Sequence, residues 1–197
     1  MLDGAARIDA MVQEAARLEM PAIAVTDHGN TFAAFEFYKA AKNVGIKPIV
    51  GIEAYVTPGT HRSDKARVRW GSPEQSSDDV SGAGAYTHMT LLSESTEGMH
   101  NLFRLSSLAS MEGYYFKPRM DREILQKYAK GLIATTGCPS GEIQTRLRLG
   151  QYDAARAAAA EFQDIFGKEN YFAEIMDHGL SIERRVLEDL TKIARDL

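Results

Sequence analysis

Short apolar runs, separated by stretches with helical periodicity, constrain this chain more than any other feature. From Ile8 to Leu18, apolar side chains recur at three- and four-residue steps (Ile8, Met11, Val12, Ala15, Ala16, Leu18), which predicts a helix with one buried face. Pro21 breaks it, and "AIAV" follows as a short continuous apolar run, the pattern of a parallel strand buried on both faces. A second helix is expected from about Thr31 to Asn43, stopped by Gly45, before the strand "KPIVGIEAYV". This strand and helix alternation predicts an α/β fold with repeated parallel units, either a barrel or a doubly wound sheet.

The alternation lapses from Thr57 to Gly84, where Ser, Gly, Asp and charged residues crowd together as in a long surface loop. It resumes with the strand "AYTHMTLLSES", a helix around Thr96 to Ser110, a short helix around Asp121 to Lys130 and the strand "GLIATT". The run "DAARAAAAEF" is helical by propensity, "NYFAEIM" is a further strand, and Ser181 to Leu197 is a closing helix. No linker divides the 197 residues, so residues 1–197 are expected to form one domain.

Bulk properties exclude several classes. A composition of 44% hydrophobic and 25% charged residues is that of an ordinary globular chain. A net charge of -4 argues against a strongly basic nucleic-acid clamp and leaves only local contacts, through metals or a few arginines. The single cysteine, Cys138, excludes an internal disulfide framework and fits a reducing compartment. Without a run of membrane-spanning length or a signal-like N-terminus, the expected location is cytoplasmic with no membrane partner.

In α/β folds, ligands gather beyond the carboxyl ends of the strands, where loops from many units converge. Asp27 and His28 follow "AIAV", Cys138 follows "GLIATT", and Glu53 and His88 lie within or near the ends of their strands. Asp3 precedes the first helix; it stands 25 residues before His28, which stands 25 before Glu53, about one strand, turn and helix each time. Singly, each has a structural explanation. Asp27 can cap the next helix, Gly29 supplies a permissive turn, Cys138 can be a small buried hydrophobe, and Ser140 can cap the helix after it. Glu53 resists this, since a carboxylate inside "GIEAYV" must face solvent, a partner or a metal.

Together, carboxylate, imidazole and thiol at successive strand ends make a mixed set that suits zinc and can suit manganese or iron. A cation would offset the desolvation of these groups, and clustered Lewis-acid ions are suited to phosphate-ester hydrolysis. The remaining histidines carry less. His61 is expected to be solvated, His100 sits on a helix with no partner motif, and His178 in "MDHGL" echoes "TDHGN" either as support for the site or as a satisfied turn residue.

Six ordered blocks, "LDGAARI", "MPAIAVTDHGN", "FEFYKAAKNVGIKPIVGIEAYV", "YTHMTLLSES", "GMHNLFRLSSLAS" and "TTGCPSGEIQTRLRLGQ", resemble the PHP (polymerase and histidinol phosphatase) domain that opens the bacterial replicative DNA polymerase III alpha subunits. The resemblance runs from Leu2 to the last residue, and "GCPSGE" with "GIEAYV" favours the polymerase branch over free-standing phosphatases. It implies an α/β fold of the PHP type, a (β/α)7 barrel of mostly parallel strands, here incomplete. It also implies divalent metal ions (zinc, manganese or magnesium) held by Asp3, His28, Glu53, His88 and Cys138. The implied activity is a metal-dependent 3′ to 5′ exonuclease that proofreads, with metal-activated hydroxide attacking the terminal phosphodiester at the 3′ end of a DNA primer strand. Other subunits of the replicative polymerase are implied as partners.

Two departures matter. The family's HxH motif on a preceding strand and its DxH motif on a later one are absent from this sequence. The expectation is therefore a partial PHP domain of a longer polymerase, without palm, fingers or thumb, and inactive or nearly so in isolation. The alternative function is a non-catalytic module that braces the polymerase and docks a separate proofreading exonuclease. A small-molecule phosphatase of the same fold is a third reading. The intact His28, Glu53, His88 and Cys138 favour the first.

Overall fold

The computed structural model describes residues 4–71 and 81–197. Helix α1 (Ile8–Arg17) is followed by β1 (Ala22–His28), α2 (Ala34–Asn43) and β2 (Lys47–Val56), close to the order and bounds expected from periodicity. β3 (Thr87–Ser93), α3 (Thr96–Glu112), β4 (Arg119–Met120), α4 (Arg122–Tyr128) and β5 (Leu132–Thr135) come next. The chain continues through α5 (Glu142–Arg148), α6 (Tyr152–Phe166), β6 (Tyr171–Phe172) and α7 (Ser181–Asp196). Among the described residues no helix is long and apolar enough to cross a membrane.

The strands form one sheet in the order β1-β2-β3-β5-β6, with β4 attached beside β2. β1 with β2, β2 with β4 and β5 with β6 are parallel, whereas β3 runs antiparallel to both β2 and β5. The reversal fits the connection: among its described residues no α-helical crossover lies between β2 and β3, and the chain returns beside β2 in the opposite sense. Among the described residues the sheet does not close, and β1 and β6 each have a single neighbour in it. "AIAV" is consequently half-buried rather than enclosed on both faces, because it lies on an edge strand.

Period-two alternation divides the sheet into two chemical faces. Val50, Ile52, Ala54 and Val56 of β2 join Met89 and Leu91 of β3 in the main core. Helices α3 to α7 cover that face, with Leu102, Leu105, Ile124, Leu125, Phe162, Val186 and Leu190 packed into the same cluster. In α6 three alanines (155, 158 and 159) and two phenylalanines (162 and 166) line the buried stripe, so propensity and patterning agree. A second, smaller cluster of Val12, Phe37 and Ala41 seats α1 and α2 against Ile23 and Val25 of β1.

The segment after β2 is packed more firmly than a loop-rich composition predicts. Arg119 is 1% exposed, yet its guanidinium serves backbone carbonyls rather than a carboxylate: Gly113 (3.0 Å), Ala85 (3.3 Å), Arg62 (2.8 Å) and Asp64 (2.8 Å). One side chain therefore ties the 57–71 segment to β4 and to the approach to β3. Trp70 is buried as well, with the Arg146 guanidinium 4.7 Å over its ring. Replacing Arg119 with Met removes four hydrogen bonds, two of them made in the buried interior, and should lower unfolding free energy by about 3 kcal/mol or more. Arg119→Lys should recover only part of this, because one ammonium cannot reach carbonyls spread around a planar fork. Urea denaturation measures both, and wild-type stability in either variant would contradict this account.

Candidate metal centre

The polar face of the sheet gathers its functional groups at one rim. The antiparallel register sets Glu53 opposite Thr90 and Tyr55 opposite His88, while the parallel register sets His28 beside Glu53. Directly paired residues share a face, so His28, Glu53, Tyr55, His88 and Thr90 line the side opposite the main core. His88 stands near the start of β3, but the reversed strand brings that start to the carboxyl ends of β1 and β2. Asp27 points the other way and its carboxylate accepts the N–H of Ala33, the N-cap residue of α2, at 2.7 Å; it supports the helix entry from outside and is not itself the expected N-cap.

Cys138 reaches the same rim through the turn after β5. Gly137 has φ +76°, and a Cβ there would lie 2.8 Å from the His88 carbonyl oxygen, so only glycine lets the turn close on β3. The Gln144 amide donates to Thr136 Oγ1 at 2.9 Å and to the Gly137 carbonyl at 2.8 Å, and the His88 N–H donates to the Ser140 carbonyl at 3.1 Å. Ser140 makes this backbone contact instead of capping α5, whose N-cap is Gly141.

Within this frame Glu53, His88 and Cys138 present one ligand atom each, all within 4.8 Å of one another. His88 Nδ1 lies 2.7 Å from Glu53 Oε1, and Cys138 Sγ lies 3.6 Å from His88 Nδ1 and 3.7 Å from Glu53 Oε1. His28 flanks the group, with Nε2 3.3 Å from Glu53 Oε2 and Nδ1 3.2 Å from the Tyr55 hydroxyl. Exposure rises outward, from 16% for His88 and 20% for Glu53 to 41% for His28.

Electrostatics follow from this crowding. Burial works against the Glu53 carboxylate, but His88 and His28 outweigh it and hold its pKa below the ordinary value. Burial also opposes a charged His88, yet Cys138 and Glu53 together raise its pKa to about 9. In the metal-free cluster the extra proton on His88 compensates Glu53. Three different donor types converging on one point fit a divalent ion in place of that proton, with zinc suited to the mixture of N, O and S.

Of the other expected ligands, Asp3 lies outside the described residues. His178 is 71% exposed and its Nδ1 lies 2.8 Å from Glu183 Oε1, while its N–H donates to Glu183 Oε2 at 2.7 Å; it is a satisfied turn residue at the start of α7. His61 comes near Asp121 (3.8 Å) and Glu123 (3.5 Å), making a second group of metal-ligating types. There Arg62 already serves the acids, at 3.0 Å from Asp121, 3.3 Å from Glu123 and 2.7 Å from Glu112. A guanidinium occupies the position a cation would take.

Sequence reasoning passed over Tyr55 and Glu174. Tyr55 is two residues from Glu53 on the same strand, so simple alternation puts it on the site face. Glu174 accepts hydrogen bonds from the hydroxyls of Thr90 (3.2 Å) and Thr135, and its own N–H donates to Thr136 Oγ1 at 3.0 Å. The signal was the one that singled out Glu53, a carboxylate inside an apolar strand run.

Residues 1–178 match the PHP domain family. The chain belongs to it. Over its whole length this PHP chain is 61% identical to the DNA polymerase III subunit alpha of Saccharopolyspora erythraea and 57% identical to that of Mycobacterium tuberculosis, and spans 17% of each. The subunit of Thermus aquaticus is 42% identical over 99% of the chain, which covers 15% of that relative. A crystal structure from Bifidobacterium adolescentis, described as a proposed metal-dependent phosphoesterase, superposes with a TM-score of 0.54 at 15% identity, covering 98% of this chain and 79% of the other. That likeness is one of fold, and it agrees with an incomplete (β/α) barrel. Among the described residues six strands form an open sheet, as expected of an incomplete barrel.

The raised pKa of His88 has a definite sign. In the metal-free protein its contribution to stability is present below about pH 6.5 and is lost as pH rises through about 9. NMR titration of the His88 Cε1–H should give a midpoint far above the ordinary histidine value in chelator-treated protein, and added zinc should abolish the titration. A midpoint at or below 6.5 would contradict the described geometry.

Proposed function

We propose that this chain is the PHP segment of a bacterial DNA polymerase III alpha subunit, and that its rim cluster serves a metal-dependent 3′ to 5′ exonuclease that removes misincorporated nucleotides from a primer strand. One observation carries this reading: Glu53, His88 and Cys138 bring carboxylate, imidazole and thiol atoms within 4.8 Å of one another. High identity to replicative polymerase subunits across the whole chain supports DNA as the substrate, other replicative subunits as partners and a cytoplasmic location.

Glu53, His88 and Cys138 would hold the ion, with Asp3 and His28 as further ligands. A bound divalent ion supplies Lewis-acid charge stabilisation on phosphate oxygen and a lowered pKa for water. The protein supplies the rest. Tyr55 fixes the His28 ring through Nδ1, leaving Nε2 directed at Glu53, so the imidazole is held at the solvent side of the cluster where a phosphate would arrive. Glu174, Thr90 and Thr135 fill the polar face deeper along the sheet and restrict how far β5 can shift relative to β3. The Gly137 turn keeps Cys138 in register with His88.

A docking module that only braces the polymerase has no need of convergent ligand atoms, whereas these sit at the carboxyl rim where α/β enzymes place their chemistry. The thiol also favours zinc over magnesium, which prefers oxygen donors alone.

The test uses the full-length protein with a 5′-labelled primer carrying a 3′ mismatch, manganese, and no nucleoside triphosphates. Wild type should shorten the primer, and Glu53→Gln or Cys138→Ser should slow this by roughly 100-fold or more, at least the loss seen when groups supporting a metal ligand are removed. Primer shortening that persists at the wild-type rate in Glu53→Gln would place the activity elsewhere.

A further inference from the structure

Beside the cluster stands a group of exposed rings and cations that the hydrolytic chemistry does not use. After α3 the sequence "GYYFKPR" (113–119) turns back sharply, with the Tyr115 N–H donating to the Lys117 carbonyl at 3.1 Å. Phe116 forms the tip. It has φ +61°, a left-handed conformation that a bulky residue rarely adopts, and it is 60% exposed. Tyr114 is 63% exposed next to it. A strained backbone that presents an aromatic ring to water runs against both local preference and the hydrophobic effect, and such strain gathers at functional positions.

The rings are held in place by a ladder of contacts. The buried Arg119 guanidinium lies 5.1 Å from the Tyr115 ring, Tyr115 and Phe116 have centroids 4.5 Å apart, and the exposed Arg67 guanidinium lies 5.5 Å from the Phe116 ring. Lys117 places its ammonium 5.4 Å over the ring of Tyr55. Tyr55 connects this tip to the site, since its hydroxyl is 3.2 Å from His28 Nδ1 and its ring is 5.2 Å from that of His88. Gly29 fixes the junction: with φ +68° and a virtual Cβ 2.8 Å from both Pro118 and Tyr55, any side chain there would push the tip away from the end of β1.

Rings with cations interleaved are the chemistry that receives single-stranded nucleic acid, because bases stack on aromatic faces while Arg and Lys meet phosphates. In a chain of net charge -4, cations gathered on this edge of the site make its charge complementary to a polyanion. Bases inside a duplex have both faces covered by their neighbours, whereas unpaired bases can splay onto a protruding ring. Resting on the proposed exonuclease reading, we infer that Phe116 and Tyr114, with Arg67 and Lys117, form a stacking platform that takes the unpaired bases of a DNA 3′ terminus and leads its phosphate toward the Glu53, His88 and Cys138 cluster. Selection of frayed ends over paired ones then resides in this tip.

The experiment uses full-length protein and two variants, Phe116→Gly and Phe116→Trp. Glycine removes the ring and relieves the left-handed strain, so the fold is retained, as a thermal melt would verify. Steady-state hydrolysis of a 3′ single-stranded oligonucleotide should show KM raised about tenfold in Phe116→Gly with kcat within about twofold, and recovery in Phe116→Trp. Hydrolysis of bis(p-nitrophenyl) phosphate, which has no bases to stack, should be unchanged. In parallel, an oligonucleotide with 5-iododeoxyuridine beside its 3′ end should photocrosslink to residues 114–117, located by mass spectrometry.

Unchanged KM in Phe116→Gly, or crosslinks confined to other parts of the protein, would overturn the platform while leaving the exonuclease reading intact. Crosslinks at Phe116 in a protein that cleaves no phosphodiester would support the platform and overturn the exonuclease reading. If Phe116→Gly instead weakens only the association with another protein subunit, the patch is a protein interface and the inference fails.

Discussion

The structure depends on one constraint: β2 and β3 must keep carbon on one face and ionisable groups on the other, at adjacent positions along the same strands. Ile52 and Ala54 flank Glu53, and Thr87 and Met89 flank His88; all four are buried. A shift of one residue in either strand would drive Glu53 or His88 into the main core and bring Leu91 or Ile52 to the polar rim. Register and site geometry are therefore one property. The large apolar cluster beneath the sheet holds the register, and the rim receives its geometry from it. Unpaired burial of a carboxylate costs several kcal/mol, so the rim in turn requires a compensating positive charge, which is either the proton on His88 or a metal ion.

Arg119 performs a related task away from the cluster. Its guanidinium stands in for a strand ladder, collecting carbonyls from Arg62, Asp64, Ala85 and Gly113, of which those of Ala85 and Gly113 are met in the buried interior. Because the same arginine stacks on Tyr115, the packing of the 57–71 segment and the position of the 114–118 tip are mechanically joined. Arg62 contributes from the same segment by neutralising Asp121, the N-cap of α4. A loop rich in polar residues is thus ordered by two arginines, one feeding on backbone oxygens and one on carboxylates.

Much of this was legible in the sequence, for identifiable reasons. The apolar steps from Ile8 to Leu18 and the run "KPIVGIEAYV" carry their periods locally, so α1 and β2 fall within a residue or so of expectation. Glu53 stood out because a carboxylate in an apolar strand has few cheap explanations, and His88 and Cys138 because they lie at the ends of such runs. What escaped was long-range. The reversed direction of β3 goes with a connection that has no α-helix among its described residues, and the half-exposure of β1 depends on its lying at the sheet edge. β4 is two residues long, too short to leave a period, and β6 keeps only Tyr171 and Phe172 of the strand expected over "NYFAEIM". Arg119 has no sequence signature, since four carbonyls from three separate segments define its role.

The arrangement also separates rigidity from selectivity. The cluster sits where strands, the Gly137 turn and the Gln144 bridge leave few alternative conformations, which suits ligand atoms that must hold fixed positions. The aromatic tip sits on a turn outside the sheet, braced from beneath by Arg119 but open above. An ion site gains from stiffness because its ligands repel or desolvate one another whenever the cation leaves; a surface for unpaired bases gains from exposure, since each of the four bases must find the same face. Placing the tip against Gly29 joins the two without merging them; on the proposed reading, changes at Phe116 would alter which strand ends are accepted while Glu53, His88 and Cys138 keep their spacing. The glycine in "TDHGN" is therefore the joint between cluster and tip, and its neighbour His28 touches both Glu53 of the cluster and Tyr55 beneath the tip.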